Sequence, residues 1–74
     1  MVKILTKSKK PTVSIIIRTK NEERWITSCL RSVFAQDFND FEVIIVDNAS
    51  NDKTIKKAKS FPIQKVINID QYLP

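Results

Sequence analysis

Two runs of β-branched residues, Val13-Ser-Ile-Ile-Ile-Arg18 and Phe41-Glu-Val-Ile-Ile-Val46, stand on either side of a stretch with helical periodicity. That arrangement limits the fold more than any other feature of the chain. Each run is nearly apolar on both faces, the pattern of strands inside a parallel sheet with a layer on each side. Between them Trp25, Ile26, Cys29, Leu30, Val33 and Phe34 form one apolar stripe at helical spacing. The spacing predicts a helix over Asn21–Gln36, with Asn21 as N-cap and with Glu22 and Glu23 in the first turn, where the helix dipole favours negative charge. On the same stripe Trp25 is expected in the core, and Cys29 as a buried structural thiol.

A shorter helix is expected over Asp52–Ser60, capped by Asp52, with Ile55 and Ala58 inward, lysines outward and Pro62 as its stop. Gln64–Ile69, with Val66, Ile67 and Ile69, reads as a third strand. Strand, helix, strand, helix, strand with short loops is the signature of parallel α/β architecture with right-handed crossovers.

The chain has 74 residues, so one domain is the ceiling, and a chain of this size is marginally stable unless something supplements its core. The single cysteine rules out an internal disulfide, and the absence of histidine rules out a Cys/His zinc site. A partner subunit, as in a homo-oligomer, or membership of a larger protein is the remaining source of support. No apolar run approaches membrane-span length, and no apolar stretch follows the N-terminal lysines as in a secretory signal. The expected location is cytoplasmic.

The formal charge of +5 is unevenly distributed. Lys3, Lys7, Lys9 and Lys10 lie in a first decad without acids, and the rest of the chain carries nine basic against eight acidic residues. Residues 1–10 therefore read as a loose basic arm, and residues 11–74 as the folded part. Val2, Ile4 and Leu5 are able to form an edge strand, although nothing in the sequence demands one. A solvated terminus is the simplest account of the arm; contact with anionic headgroups at the inner face of the membrane is its functional reading. A nucleic-acid partner is not expected, and salt-sensitive DNA binding would be its signature.

In open parallel sheets ligands bind beyond the carboxyl ends of the strands. Two polar loops fall there, Arg18-Thr19-Lys20-Asn21-Glu22-Glu23 and Asp47-Asn48-Ala49-Ser50-Asn51-Asp52. A carboxylate just past a strand accepts hydrogen bonds from a ribose hydroxyl or a base N–H. Arg18 and Lys20 suit a diphosphate, and the amides from Asn21 onward would open a helix toward an anion. The same residue types also make turns and caps for local reasons. The chain contains no glycine, which sets aside the P-loop and the dinucleotide fingerprint.

Val13-Ser-Ile-Ile-Ile-Arg-Thr-Lys-Asn-Glu-Glu23, then Ser32-Val-Phe-Ala-Gln36, then Phe41-Glu-Val-Ile-Ile-Val-Asp-Asn-Ala-Ser-Asn-Asp-Lys-Thr54, resembles the N-terminus of inverting family 2 glycosyltransferases. The resemblance runs from Val13 to Thr54 and more faintly to Pro74. It implies part of a GT-A domain: a Rossmann-like β-α-β-α-β parallel, three-layer fragment that binds the nucleotide of a UDP-, GDP- or dTDP-sugar. It places Arg18, Thr19 and Lys20 at the base and ribose pocket and Asn21 and Glu22 at the family's Asn-Glu. Asp47-Asn48 falls where many members have Asp-Asp, and either residue is a candidate to hold the nucleotide. Ala49 stands where glycine is usual, and Ser50 and Asp52 match the Ser-x-Asp that caps the second helix.

The resemblance also implies Mn²⁺ or Mg²⁺ in the complete domain, held by an Asp-x-Asp motif. None occurs here, and Asp70 stands alone as Asp-Gln-Tyr. The general base, an Asp or Glu, likewise comes from the later half of such domains. By family the activity is hexosyl transfer from a nucleotide sugar, and this chain by itself is expected to be inactive, with no catalytic residue and no bound cofactor. The alternative is a non-catalytic α/β interaction module derived from such an enzyme.

Overall fold

The β-branched runs become the two central strands of a four-stranded sheet in a computed structural model that describes residues 2–6, 11, 13–38 and 40–69. In chain order the elements are β1 (Val2–Thr6), β2 (Val13–Thr19), α1 (Ile26–Phe34), β3 (Phe41–Asn48), α2 (Thr54–Ala58) and β4 (Lys65–Ile69). They lie in the order β1-β2-β3-β4 across the sheet. β2, β3 and β4 are parallel, with Ile17 beside Ile45 and Ile45 beside Val66. No described helix is long and apolar enough to cross a membrane.

Alternation along each strand sends one set of side chains to each face of the sheet. Ile15 and Ile17 of β2 and Val43 and Ile45 of β3 join Ile26 and Leu30 of α1 and Ala58 of α2 in one buried cluster. Both helices therefore cover the same face. Successive right-handed crossovers that advance in one direction across a sheet require this. The second covering layer expected from the apolar runs is not supplied by the described residues. Ile16, Ile44 and Val46 on the other face are only half-buried, and Ile67 is 40% exposed. A strand with two apolar faces is the pattern of a strand covered on both sides; it does not show that one short chain supplies both covers.

Three further expectations change. The basic arm is not loose over its first half: Val2–Thr6 pairs antiparallel with β2, Ile4 opposite Ile15. Lys7, Lys9, Lys10 and Asp70–Pro74 lie outside the described residues.

The first helix starts later than its stripe implied. Asn21 adopts a left-handed backbone, φ 53°, which no helical N-cap has, and α1 begins at Ile26. A turn precedes it, in which the Trp25 and Ile26 amides both donate to the Glu22 carbonyl at 2.9 Å.

Trp25 is not in the core. It is 62% exposed and lies one residue ahead of α1, where the Arg24 guanidinium sits 5.6 Å from its ring centroid. The stripe is centred on Ile26 and Leu30, a pair four residues apart, and Trp25 falls on its flank. Cys29 is half-buried; burial, helped by the nearby Glu22 charge, pushes its thiol pKa up and keeps it protonated.

Candidate functional site

The carboxyl ends of β2 and β3 stop side by side, Thr19 beside Asp47, and the two polar loops leave from there. Asp47 lies on the helix-covered face and is 2% exposed. Its Oδ1 accepts from the Thr19 hydroxyl at 2.5 Å and from the Ser50 hydroxyl at 2.6 Å, while Oδ2 accepts from the Ser50 amide at 2.9 Å. Burial raises its pKa, but the hydrogen bonds from the Ser50 hydroxyl, the Thr19 hydroxyl and the Ser50 amide outweigh that, and the carboxyl titrates below its ordinary range.

The loops are joined residue by residue. The Asn21 amide donates to Ser50 Oγ at 2.8 Å, so a relay runs from that amide through the Ser50 hydroxyl to Asp47. A second relay repeats the design. The Glu22 amide donates to Thr54 Oγ1 at 2.8 Å, and the Thr54 hydroxyl donates in turn to Asp52. Asp52 also accepts from the Thr54 amide at 2.9 Å and from the Glu23 amide at 3.2 Å. The hydrogen bond from the Thr54 hydroxyl, with those from the Thr54 and Glu23 amides, outweighs the upward push of desolvation and holds the Asp52 carboxyl below its ordinary range.

Further bonds close the seam. The Asn51 amide donates to Asn21 Oδ1 at 2.9 Å, the Lys53 amide to Glu23 Oε1 at 3.2 Å, and Lys20 Nζ to the Ala49 carbonyl at 3.2 Å. Lys57 Nζ donates to the Glu23 carbonyl at 3.2 Å and lies 3.8 Å from its carboxylate.

This seam decides what the expected site residues are free to do. The amides of Asn21, Glu22 and Glu23, anticipated as an anion cradle, are spent on Ser50, Thr54 and Asp52. Thr19 is buried against Asp47. Asn21 joins the loops, and Glu22 contributes its backbone to them. Asp52 lies one residue ahead of Lys53, the N-cap of α2, and accepts from the Thr54 amide that opens the helix, whereas Ser50 is turned to Asp47.

Arg18 and Asn48 differ from the rest. Both point to the face that no described helix covers, on adjacent strands, two positions apart in register. Sheet spacing puts their Cα atoms about 8 Å apart. Arg18 is exposed and Asn48 half-exposed. Among the described residues neither side chain has a hydrogen-bond or ion-pair partner, so their polar groups remain available. Lys20 is also exposed, its amine near the loop surface.

The residues that sequence reasoning underrated are Ser50, Asn51 and Thr54, which hold the loops together. Their signal is a hydroxyl three residues after Asp47 and another two after Asp52, the spacing of local side-chain turns.

Ala49 adopts a left-handed backbone, φ 52°, without the freedom of glycine. Ala49→Gly is therefore expected to stabilise the chain by about 1 kcal/mol, the steric relief exceeding the extra unfolded-state entropy. The denaturation midpoint at unchanged m-value measures it.

Among the described residues no cluster of acidic, histidine or cysteine side chains could hold a metal ion. The carboxylates of Asp47 and Asp52 are engaged in the seam.

The sequence pattern of Glycosyl transferase family 2 matches residues 14–71, which run from the second residue of β2 through β4. The chain belongs to that family. It is 43% identical over 60 residues to a dolichyl N-acetyl-alpha-D-glucosaminyl phosphate 3-beta-D-2,3-diacetamido-2,3-dideoxy-beta-D-glucuronosyltransferase of Methanococcus voltae; the match covers 78% of this chain and 18% of that protein. It is 35% identical over 60 residues to the poly(ribitol-phosphate) beta-N-acetylglucosaminyltransferase TarS of Staphylococcus aureus, covering 78% of this chain and 10% of that one. It is 41% identical over 51 residues to a PGL/p-HBAD biosynthesis glycosyltransferase of Mycobacterium bovis, covering 69% and 20%. The chain thus spans a fifth or less of the length of these relatives. No solved structure gives a significant match. The family match begins at Ser14, so β1 lies outside it.

Proposed function

We propose that this segment binds the nucleotide of a sugar-nucleotide donor for an inverting family 2 glycosyltransferase, with Arg18, Asn48 and Lys20 as the groups that meet the donor. The observation that carries the reading is the division of labour at the strand ends. Asp47 is withdrawn into the seam, while Arg18 and Asn48 are left side by side, unengaged, on the open face. Arg18 suits a diphosphate through bidentate charge-assisted hydrogen bonds. The Asn48 amide has both donors and an acceptor, and so can match a base edge or a ribose hydroxyl. Lys20 adds positive charge beside them.

The transfer step needs more than these residues. A general base must take the proton from the acceptor hydroxyl, and a divalent ion, Mn²⁺ or Mg²⁺, neutralises the departing diphosphate when bound. In this reading both belong to the complete domain, working at the cytoplasmic side of the membrane.

Saturation-transfer NMR on the chain with UDP-, GDP- and dTDP-sugars tests the proposal. Transfer strongest at base and ribose protons is expected for at least one donor, and no transfer from any of them at millimolar concentration would remove the reading. Arg18→Ala is expected to weaken that donor about tenfold, the loss of one charge-assisted contact.

A second reading, an interaction module that pairs with a copy of itself, draws on the half-bare apolar face of Ile16, Ile44, Val46 and Ile67. Mass that rises with concentration in light scattering, with no response to nucleotide, would favour it.

A further inference from the structure

The carboxylate of Asp47 is the one fully buried acid among the described residues, and its hydrogen-bond donors come from both strand-end loops. We infer that Asp47 is a positioning residue for the donor site: it never touches the nucleotide, and it latches the Thr19 and Ser50 sides together so that Arg18 and Asn48 are presented in fixed register. This rests on the nucleotide-binding reading above and adds to it a role that neither the family match nor the relatives assign.

The geometry supports a latch rather than a ligand. Thr19 and Asp47 are register partners at the last hydrogen-bonded step between β2 and β3. Their side chains point to the helix-covered face, whereas Arg18 and Asn48, their immediate neighbours in sequence, point to the opposite one. A contact on one face therefore fixes the backbone that aims both exposed side chains on the other.

The Ser50 hydroxyl extends the latch. It accepts from the Asn21 amide while donating to Asp47, so the positive-φ turn at Asn21 is tied to the same carboxylate. The other positive-φ residue, Ala49, sits inside the loop closed by the Ser50–Asp47 bonds. Two left-handed residues, of which Ala49 lacks the tolerance that asparagine has for this region, are thus both held by groups bonded to Asp47. Three donors occupy most of the carboxylate's acceptor sites, and at 2% exposure little of it is open to a base or a ribose.

The test uses variants that alter the latch and leave Arg18, Asn48 and Lys20 in place. Thr19→Val and Ser50→Ala each remove one donor to Asp47. Each is expected to weaken the donor about fivefold, with Thr19→Ser and Ser50→Thr restoring affinity because they restore the hydroxyl. Combining Thr19→Val with Ser50→Ala should give less than the product of the single losses, since both act through one carboxylate. In the unmodified chain the Ser50 amide resonance should keep its chemical shift and its exchange protection when donor is added. If Asp47 gripped the donor directly, donor would displace the Ser50 amide shift, and freeing the carboxylate in Thr19→Val would leave affinity unchanged or raise it. Either result overturns the inference.

Should the unmodified chain bind no donor at all, the nucleotide reading fails separately. The latch is then judged on exchange: loss of protection at the Asn21 and Ser50 amides in Thr19→Val, with Leu30-region amides unaffected, supports it, and unchanged protection overturns it.

Discussion

Asp47→Ala is expected to cost the chain about 3 kcal/mol, the penalty of leaving the Thr19 hydroxyl and the Ser50 hydroxyl and amide without their acceptor. The effect is large because two of those groups converge on one oxygen and because Thr19 is itself buried. Ser50 is half-exposed, so water recovers part of its bonding and the loss stays below the sum of three full penalties.

The same carboxylate makes stability depend on acid. Its folded pKa lies below the unfolded value, so ionised Asp47 contributes fully above about pH 4 to 5, and the contribution is lost as pH falls through the unfolded and then the folded pKa. Asp52 shifts in the same direction and adds to the effect. Urea midpoints should therefore be flat near neutrality and drop below pH 4, and Asp47→Ala should show a shallower drop. A variant curve parallel to the parent's would assign the acid sensitivity elsewhere.

Leu30→Ala is the second large effect. Leu30 is fully buried between α1 and the sheet, and alanine there removes about 2 to 5 kcal/mol through lost transfer energy and the cavity left behind. At about 0.05–0.15 kcal/mol per residue, a domain of this length has about 4 to 11 kcal/mol in hand. The variant is therefore expected to lose a large share of its stability, read as a fall in the urea midpoint followed by circular dichroism. Trp25→Ala, expected from the stripe alone to be comparable, should instead shift stability by less than about 1 kcal/mol, because its ring lies outside the core.

The contrast between Leu30 and Trp25 shows what was legible in the sequence. Apolar, β-branched runs located β2, β3 and β4, and helical periodicity located both helices, because each pattern reports burial averaged over several residues. The end of the stripe was not legible, since the position of Trp25 depends on where the helix starts. That start is set by the turn at Glu22 and the left-handed Asn21, both imposed by bonds to the second loop. The layer count was not legible either, because apolar faces do not say which chain covers them. β1 was only an option in the sequence, since an edge strand of five residues carries too short a pattern to compete with the lysines around it.

The site divides along the same line. Its location at the carboxyl ends of β2 and β3 followed from topology. Which side chains are available did not, because that depends on cross-loop partners about thirty residues away, such as Asn21 with Ser50 and Glu22 with Thr54. The carboxylate that looked most like a ligand, Asp47, is the one most fully engaged, and its neighbour Asn48 is left open.

The central claim is that a donor meets Arg18 and Asn48 across a loop pair that is already joined. A backbone-amide NMR titration with the donor that gives the strongest saturation transfer tests it most directly. The account predicts shifts concentrated at Arg18, Lys20 and Asn48, with the Asn21, Glu22, Glu23 and Ser50 amides protected from exchange before donor is added and unchanged after it. Shifts centred on Asn21 to Glu23, with protection gained there only on adding donor, would contradict it.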